Sequence, residues 1–185
     1  SLTYSRLLMK QLIPVLFLLF IFTPKTAAAS NVEEMVNDIE AQVIKWRHHL
    51  HQHPELSNRE FETAKYITKH LKSLGLEVQT GVAITGVVAV LDSGKPGPVI
   101  ALRADIDGLP VLEQNDLPWK STQRGELEGN DVPVMHACGH DTHVAMLMGA
   151  AEILVKMKSQ LRGKVKFIFQ PAEEGAPRGE KGGAE

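Results

Sequence analysis

Stretches of helical apolar spacing alternate along the chain with short continuous apolar runs, and the alternation predicts most of its elements. From residue 31 to about 50, Val32, Met35, Ile39, Val43, Ile44 and Trp46 recur three or four apart, the stripe of an amphipathic helix. Pro54 ends it. Ser57 stands three residues before Glu60, the spacing of a capping box, so a second helix is expected from there. Phe61, Ala64, Ile67, Leu71 and Leu74 would form its buried face and Gly75 its C-terminal cap. Residues 87–91 and 98–102 are apolar runs separated by Asp-Ser-Gly-Lys-Pro-Gly, which predicts two neighbouring strands joined by a loop. Their lack of polar alternation predicts cover on both faces. Residues 111–134 are polar and irregular and predict an excursion over the surface. Asp141 or Thr142 can cap a third helix reaching about residue 158, with Val144, Leu147, Met148, Ala151, Leu154 and Val155 inward. A strand at residues 164–169 follows, and residues 170–175 leave its end as a loop. Helix, helix, strand, strand, helix, strand is the order of a layered α/β domain.

Composition changes this picture little. Of 185 residues, 43% are hydrophobic and 23% charged, an ordinary globular mix. The first 29 residues stand apart: they carry Arg6, Lys10 and Lys25 and no acid, leaving 17 basic against 22 acidic residues, a net of −5, in the remainder. That balance points to neither nucleic acid nor an anionic membrane surface as partner. Met9-Lys10 reads as a start with a short basic region, residues 12–22 as an apolar run too short to span a bilayer, and Ala27-Ala28-Ala29 before Ser30 as a cleavage site. Residues 1–8 lie upstream of that start. The expectation is an exported protein, periplasmic or secreted, beginning near Ser30 and not held at a membrane once the leader is removed. In an oxidising compartment a lone cysteine, Cys138, is buried, oxidised or held as a metal ligand.

Chemistry concentrates in two places. Met135-His136-Ala137-Cys138-Gly139-His140-Asp141-Thr142-His143 packs three imidazoles, the only thiol and a carboxylate into nine residues. Thiolate and neutral imidazole suit borderline-soft divalent metals, and Gly139 permits a sharp turn that would let Cys138 and His140 converge. The bland alternative is a small buried hydrophobe among incidental histidines. Downstream, Gln170-Pro171-Ala172-Glu173-Glu174-Gly175 offers adjacent carboxylates, one to bind a metal and one to act on water, or else a solvated acidic turn. Asp105, at the carboxyl end of a strand, is a candidate to orient a ligating histidine or simply to cap a turn. Four of the eight histidines, His48, His49, His51 and His53, crowd the end of the first helix, where helical spacing points them apart and predicts partly solvated imidazoles. A nucleophilic Cys138 with His140 or His136 as base is a competing enzyme reading, and a non-catalytic periplasmic metal-binding protein is a third.

These stretches also carry a resemblance. MHACGHDTHVAMLMGAAEIL followed by FIFQPAEEG, with ALRADIDGLP and RHHLHQHPELSNREFETAKYI ahead of them, resembles the amidohydrolase branch of metallopeptidase family 20. Hippurate hydrolases, N-acyl-amino-acid amidohydrolases and auxin-conjugate hydrolases belong to that branch. The resemblance covers residues 36–185. It implies a mixed sheet flanked by helices, a zinc-exopeptidase-like catalytic domain. It further implies hydrolysis of the amide bond of N-acyl amino acids or small peptides at a centre of two divalent ions, zinc or manganese foremost, with cobalt or nickel as alternatives. Cys138, His140 and Glu174 match metal ligands, and Glu173 matches the general base. Arg103 stands where the wider family has a histidine ligand, so no ligand role transfers to it. The family pattern continues past Glu185, with two further histidine ligands and a smaller lid or dimerisation domain. Residues 30–185 therefore read as the N-terminal part of a catalytic domain, a half-site on its own, from a protein that forms a homodimer.

Overall fold

The computed structural model describes residues 27–184. The leader expected at residues 1–29 lies outside the described residues except for its last three, which form the first turn of a helix. That helix, α1, spans Ala27–Gln52, and α2 spans Phe61–Ser73. A four-stranded mixed sheet holds β1 (Glu77–Val82), β2 (Gly86–Asp92), β3 (Val99–Asp105) and a late strand, β6 (Lys164–Gln170). Between β3 and β6 come a hairpin, β4 (Arg124–Leu127) and β5 (Asn130–Pro133), and α3 (His140–Lys156). The layered α/β architecture is as the element order predicts. None of the described helices is long and apolar enough to cross a membrane.

The strand order is β1-β2-β6-β3. β6 runs antiparallel to β2, with Val87 opposite Phe169, and parallel to β3, with Asp105 opposite Gln170. β2 and β3 are thus not neighbours, contrary to the expectation of adjacent strands joined by that loop. The loop is a crossing, because the apolar run of β6 fits between two strands made long before it. Among the described residues, cover comes from one face only. Val87, Ala89, Leu91, Ala104, Phe167 and Phe169 join Trp46 and Leu50 of α1, Ile67 and Leu71 of α2, and Val144, Met148 and Ala151 of α3 in one core. The opposite face is open among the described residues: Val90 is exposed, and at the start of β3 Val99 and Ile100 are 65% and 54% exposed. Apolar residues occupy both parities of these strands, so the pattern hides which face is covered.

α2 begins later than the capping box predicts. Its first free amides, those of Glu62 and Thr63, donate to the Glu55 carboxylate at 3.2 and 2.8 Å, so Glu55 caps the helix from outside. Ser57 and Glu60 are turned elsewhere, and Phe61 is 57% exposed rather than buried. β1 and the β4–β5 hairpin have no counterpart in the apolar pattern. The hairpin turns on Glu128 and Gly129, both with positive φ, as a two-residue loop requires.

Candidate metal centre

Because β3 and β6 are parallel and paired Asp105 to Gln170, their carboxyl ends open at one edge of the sheet. The amino end of α3 arrives at the same edge. Gly139, with φ +87°, forms the cap that turns the chain into α3 and separates the exposed Cys138 from the buried His140. The loop after β6 bends at Ala172, whose φ is +49°, and presents Glu173 and Glu174.

The three ligands inferred from the resemblance come together. Cys138, His140 and Glu174 each offer a donor atom, all within 4.8 Å of one another. Donors around a tetrahedral zinc stand about 3.5 Å apart, so a shift of about 1 Å would close the set on an ion. His140 Nε2 lies 3.6 Å from Glu173 and 3.7 Å from Glu174, and Glu173 is the more exposed of the two. The donor set fits a borderline divalent cation. Asp105, His140 and His143 form a second, overlapping group within the same distance.

The residue that orients His140 is Asp107, not Asp105. His140 Nδ1 donates to the Asp107 carbonyl at 2.9 Å and lies 3.2 Å from its carboxylate, which leaves Nε2 free to face the carboxylates. The other carboxylate oxygen of Asp107 accepts from Ser57 Oγ at 2.7 Å and from the Glu174 amide at 3.1 Å. Asp107 therefore ties two ligand-bearing segments together. Burial alone would raise its pKa, but the bonds from His140, Ser57 and the Glu174 amide outweigh burial and lower it. Asp105 is held by Arg103 at 3.1 Å, and its second oxygen is buried without a partner. Strand position singled out Asp105 rather than Asp107, because Asp107 lies past the end of β3, where strand parity no longer applies.

Burial works to lower the His140 pKa, yet the hydrogen bonds and charge of Asp107, with Asp105 behind them, raise it to about 9. The Cys138 thiol is raised too, chiefly by its hydrogen bond to Glu174 and then by burial and the surrounding carboxylates. A nucleophilic cysteine needs the opposite shift, so the geometry disfavours that role. His136 is buried with Nδ1 unpartnered, and burial lowers its pKa to about 4.

The front histidines do point apart, but not all of them into solvent. His48 stacks on Trp119 and His49 on Tyr66. His51 is buried: its Nδ1 lies 2.9 Å from Asp141 and its Nε2 2.9 Å from Glu113, while Arg47 reaches Asp141 at 3.0 Å. The expectation of solvated imidazoles fails at this position because two carboxylates from distant segments meet it.

Comparison with known proteins agrees with the geometry. Residues 101–185 match the model of the family described as peptidase family M20/M25/M40. Thermostable carboxypeptidase 1 of Saccharolobus solfataricus is 49% identical over 147 residues, 77% of this chain and 35% of that protein. The chain belongs to the M20 family. An N-acyl-L-amino acid amidohydrolase of Geobacillus stearothermophilus is 42% identical over 80% of this M20 chain and 38% of its own length. A solved structure from Bacillus subtilis, described as a dinuclear metal-binding peptidase of the M20 family, is 43% identical, with a TM-score of 0.67 over 75% of this chain and 36% of that one. The chain spans about a third of the length of the curated relatives it matches.

Proposed function

We propose that the protein to which this chain belongs is a metal-dependent amidohydrolase that cleaves N-acyl amino acids or small peptides, with two divalent ions, zinc or manganese, in its complete site. The convergence of Cys138, His140 and Glu174 beside a second, more exposed carboxylate, Glu173, carries this reading. The similarity to an N-acyl-L-amino acid amidohydrolase and to a dinuclear metal-binding peptidase supports it.

Cys138 Sγ, His140 Nε2 and one oxygen of Glu174 would hold an ion here. When bound, such an ion supplies Lewis-acid polarisation and brings the pKa of an adjacent water towards neutrality. Glu173 has an exposed face from which to take a proton from water on one carboxylate oxygen and return it to the leaving amine. Asp107 holds the His140 Nδ1 proton, so that Nε2 is the nitrogen left to meet a cation, which would displace the Nε2 proton on binding. Its bond to the Glu174 amide fixes where the neighbouring carboxylates project.

Glu173→Gln is the test. It should lower kcat by roughly 10²–10⁴ with the metal content unchanged, and chelation of the wild type should abolish turnover until metal is restored. Hydrolysis indifferent to chelators would overturn the metal-dependent reading, and Glu173→Gln without effect on any hydrolysis would return the site to metal storage. Export, with residues 30–185 forming part of the catalytic domain of a homodimer, belongs to the same proposal and rests on the leader pattern and the resemblance. An N-terminus near Ser30 on the mature protein would bear out the export.

A further inference from the structure

Four consecutive residues, Ser57-Asn58-Arg59-Glu60, leave the helix they were expected to cap and face the site. Ser57 Oγ donates to Asp107 at 2.7 Å. Asn58 Nδ2 donates to Glu180 at 3.0 Å and to the Lys181 carbonyl at 3.1 Å. Arg59 pairs with both oxygens of Glu180, at 2.7 and 3.1 Å. Glu60 accepts from the Ala172 amide at 2.9 Å through one oxygen and from Thr85 Oγ1 at 2.5 Å through the other. Asn58 and Glu60 have no exposed surface.

The partners are not scattered. Ala172 immediately precedes Glu173, and Glu180 and Lys181 close the same loop on its far side. Asp107, which Ser57 holds, binds the Glu174 amide in between. A loop of this length without regular structure would spread its carboxylates over many positions, because fixing each residue costs conformational entropy. Ala172 also sits in the left-handed region that disfavours a side chain, so its bend needs outside support. Glu60 supplies that support. Its two acceptor oxygens span from the turn before β2 to the bend, a reach that neither the hydroxyl of Ser57 nor the guanidinium of Arg59 could replace.

We propose that Ser57–Glu60 is a positioning strap that sets the carboxylates Glu173 and Glu174 against His140, with Glu60 its principal residue. The proposal rests on the metal-hydrolase reading of the site. It is tested in the complete protein by Zn²⁺ affinity in chelator competition, hydrogen exchange over the loop, and kcat and KM on an N-acyl amino acid. Glu60→Ala should weaken Zn²⁺ binding roughly tenfold or more, the scale seen when partners of ligands are removed. It should also speed exchange at residues 172–181 and lower kcat with KM nearly unchanged. Glu60→Gln should restore most of each, since its amide oxygen still accepts from Ala172 and its NH₂ can donate to Thr85. Ser57→Ala, which deletes only a hydroxyl, should give a smaller loss in the same direction and serves if Glu60→Ala does not fold. Wild-type Zn²⁺ affinity and kcat in Ser57→Ala and in folded Glu60→Ala would overturn the strap alone. A wild type that binds no Zn²⁺ would overturn the metal reading and the strap with it.

Discussion

Glu60 places a carboxylate where no water reaches it, and burial raises its pKa despite the bonds from Thr85 and Ala172. An acid whose folded pKa exceeds its unfolded value holds its proton longer in the folded state. Between the two values the unfolded chain binds fewer protons, so stability falls as pH rises through that window and then levels off. The thermal midpoint of the metal-free protein should therefore decline from about pH 4.5 upward relative to Glu60→Gln; a difference that stays constant with pH would refute the coupling. At this scale the candidate site was half legible. Cys138, His140, Glu173 and Glu174 stand out because metal-binding side chains gather in two short windows. Asp107 and Glu60 were illegible because their partners lie far along the chain, and a lone acidic residue reads as solvated until the fold buries it.

At the level of elements, the tie between α1 and α3 is polar as well as apolar. His51 stands between two buried carboxylates, Asp141 in the first turn of α3 and Glu113 in the excursion before it. His51→Ala would leave both acceptors facing a void. We expect a loss of about 3 kcal/mol in denaturant unfolding, the scale for removing one partner of a buried polar network; a loss well below about 1 kcal/mol would mean that water replaces the imidazole. The helices and the strands β2, β3 and β6 are readable from apolar spacing. β1 and the β4–β5 hairpin are not, because Glu77–Val82 and residues 124–133 are mostly polar and owe their form to their neighbours. The start of α2 was misread for a related reason: Ser57 and Glu60 had better partners across the fold than the amides of their own helix.

Among the described residues, one face of the sheet is covered by helices and the other is open. β3 stands at the sheet's edge among the described residues, with Val99 and Ile100 exposed. Unpaired strand edges bearing apolar side chains template association. A chain of only these residues should self-associate in light scattering, and Val99→Lys should suppress this; equal scattering from both would show that β3 is not the contact. Fold class was readable from element order, whereas strand order was not, because adjacency in sequence says nothing about a strand inserted later.

That insertion has a consequence for how the protein is made. On the ribosome, β2 and β3 emerge well before the strand that will separate them, and their final places leave a gap about 10 Å across. They can close on each other only by mispairing. When residues 164–170 appear, the gap is filled, and the same segment brings Ala172, Glu173 and Glu174 to the sheet's edge. Closing of this sheet and assembly of the candidate centre thus wait on the same segment of the nascent chain. Until then, its exposed strand edges are what a chaperone, or another unfinished copy, would meet.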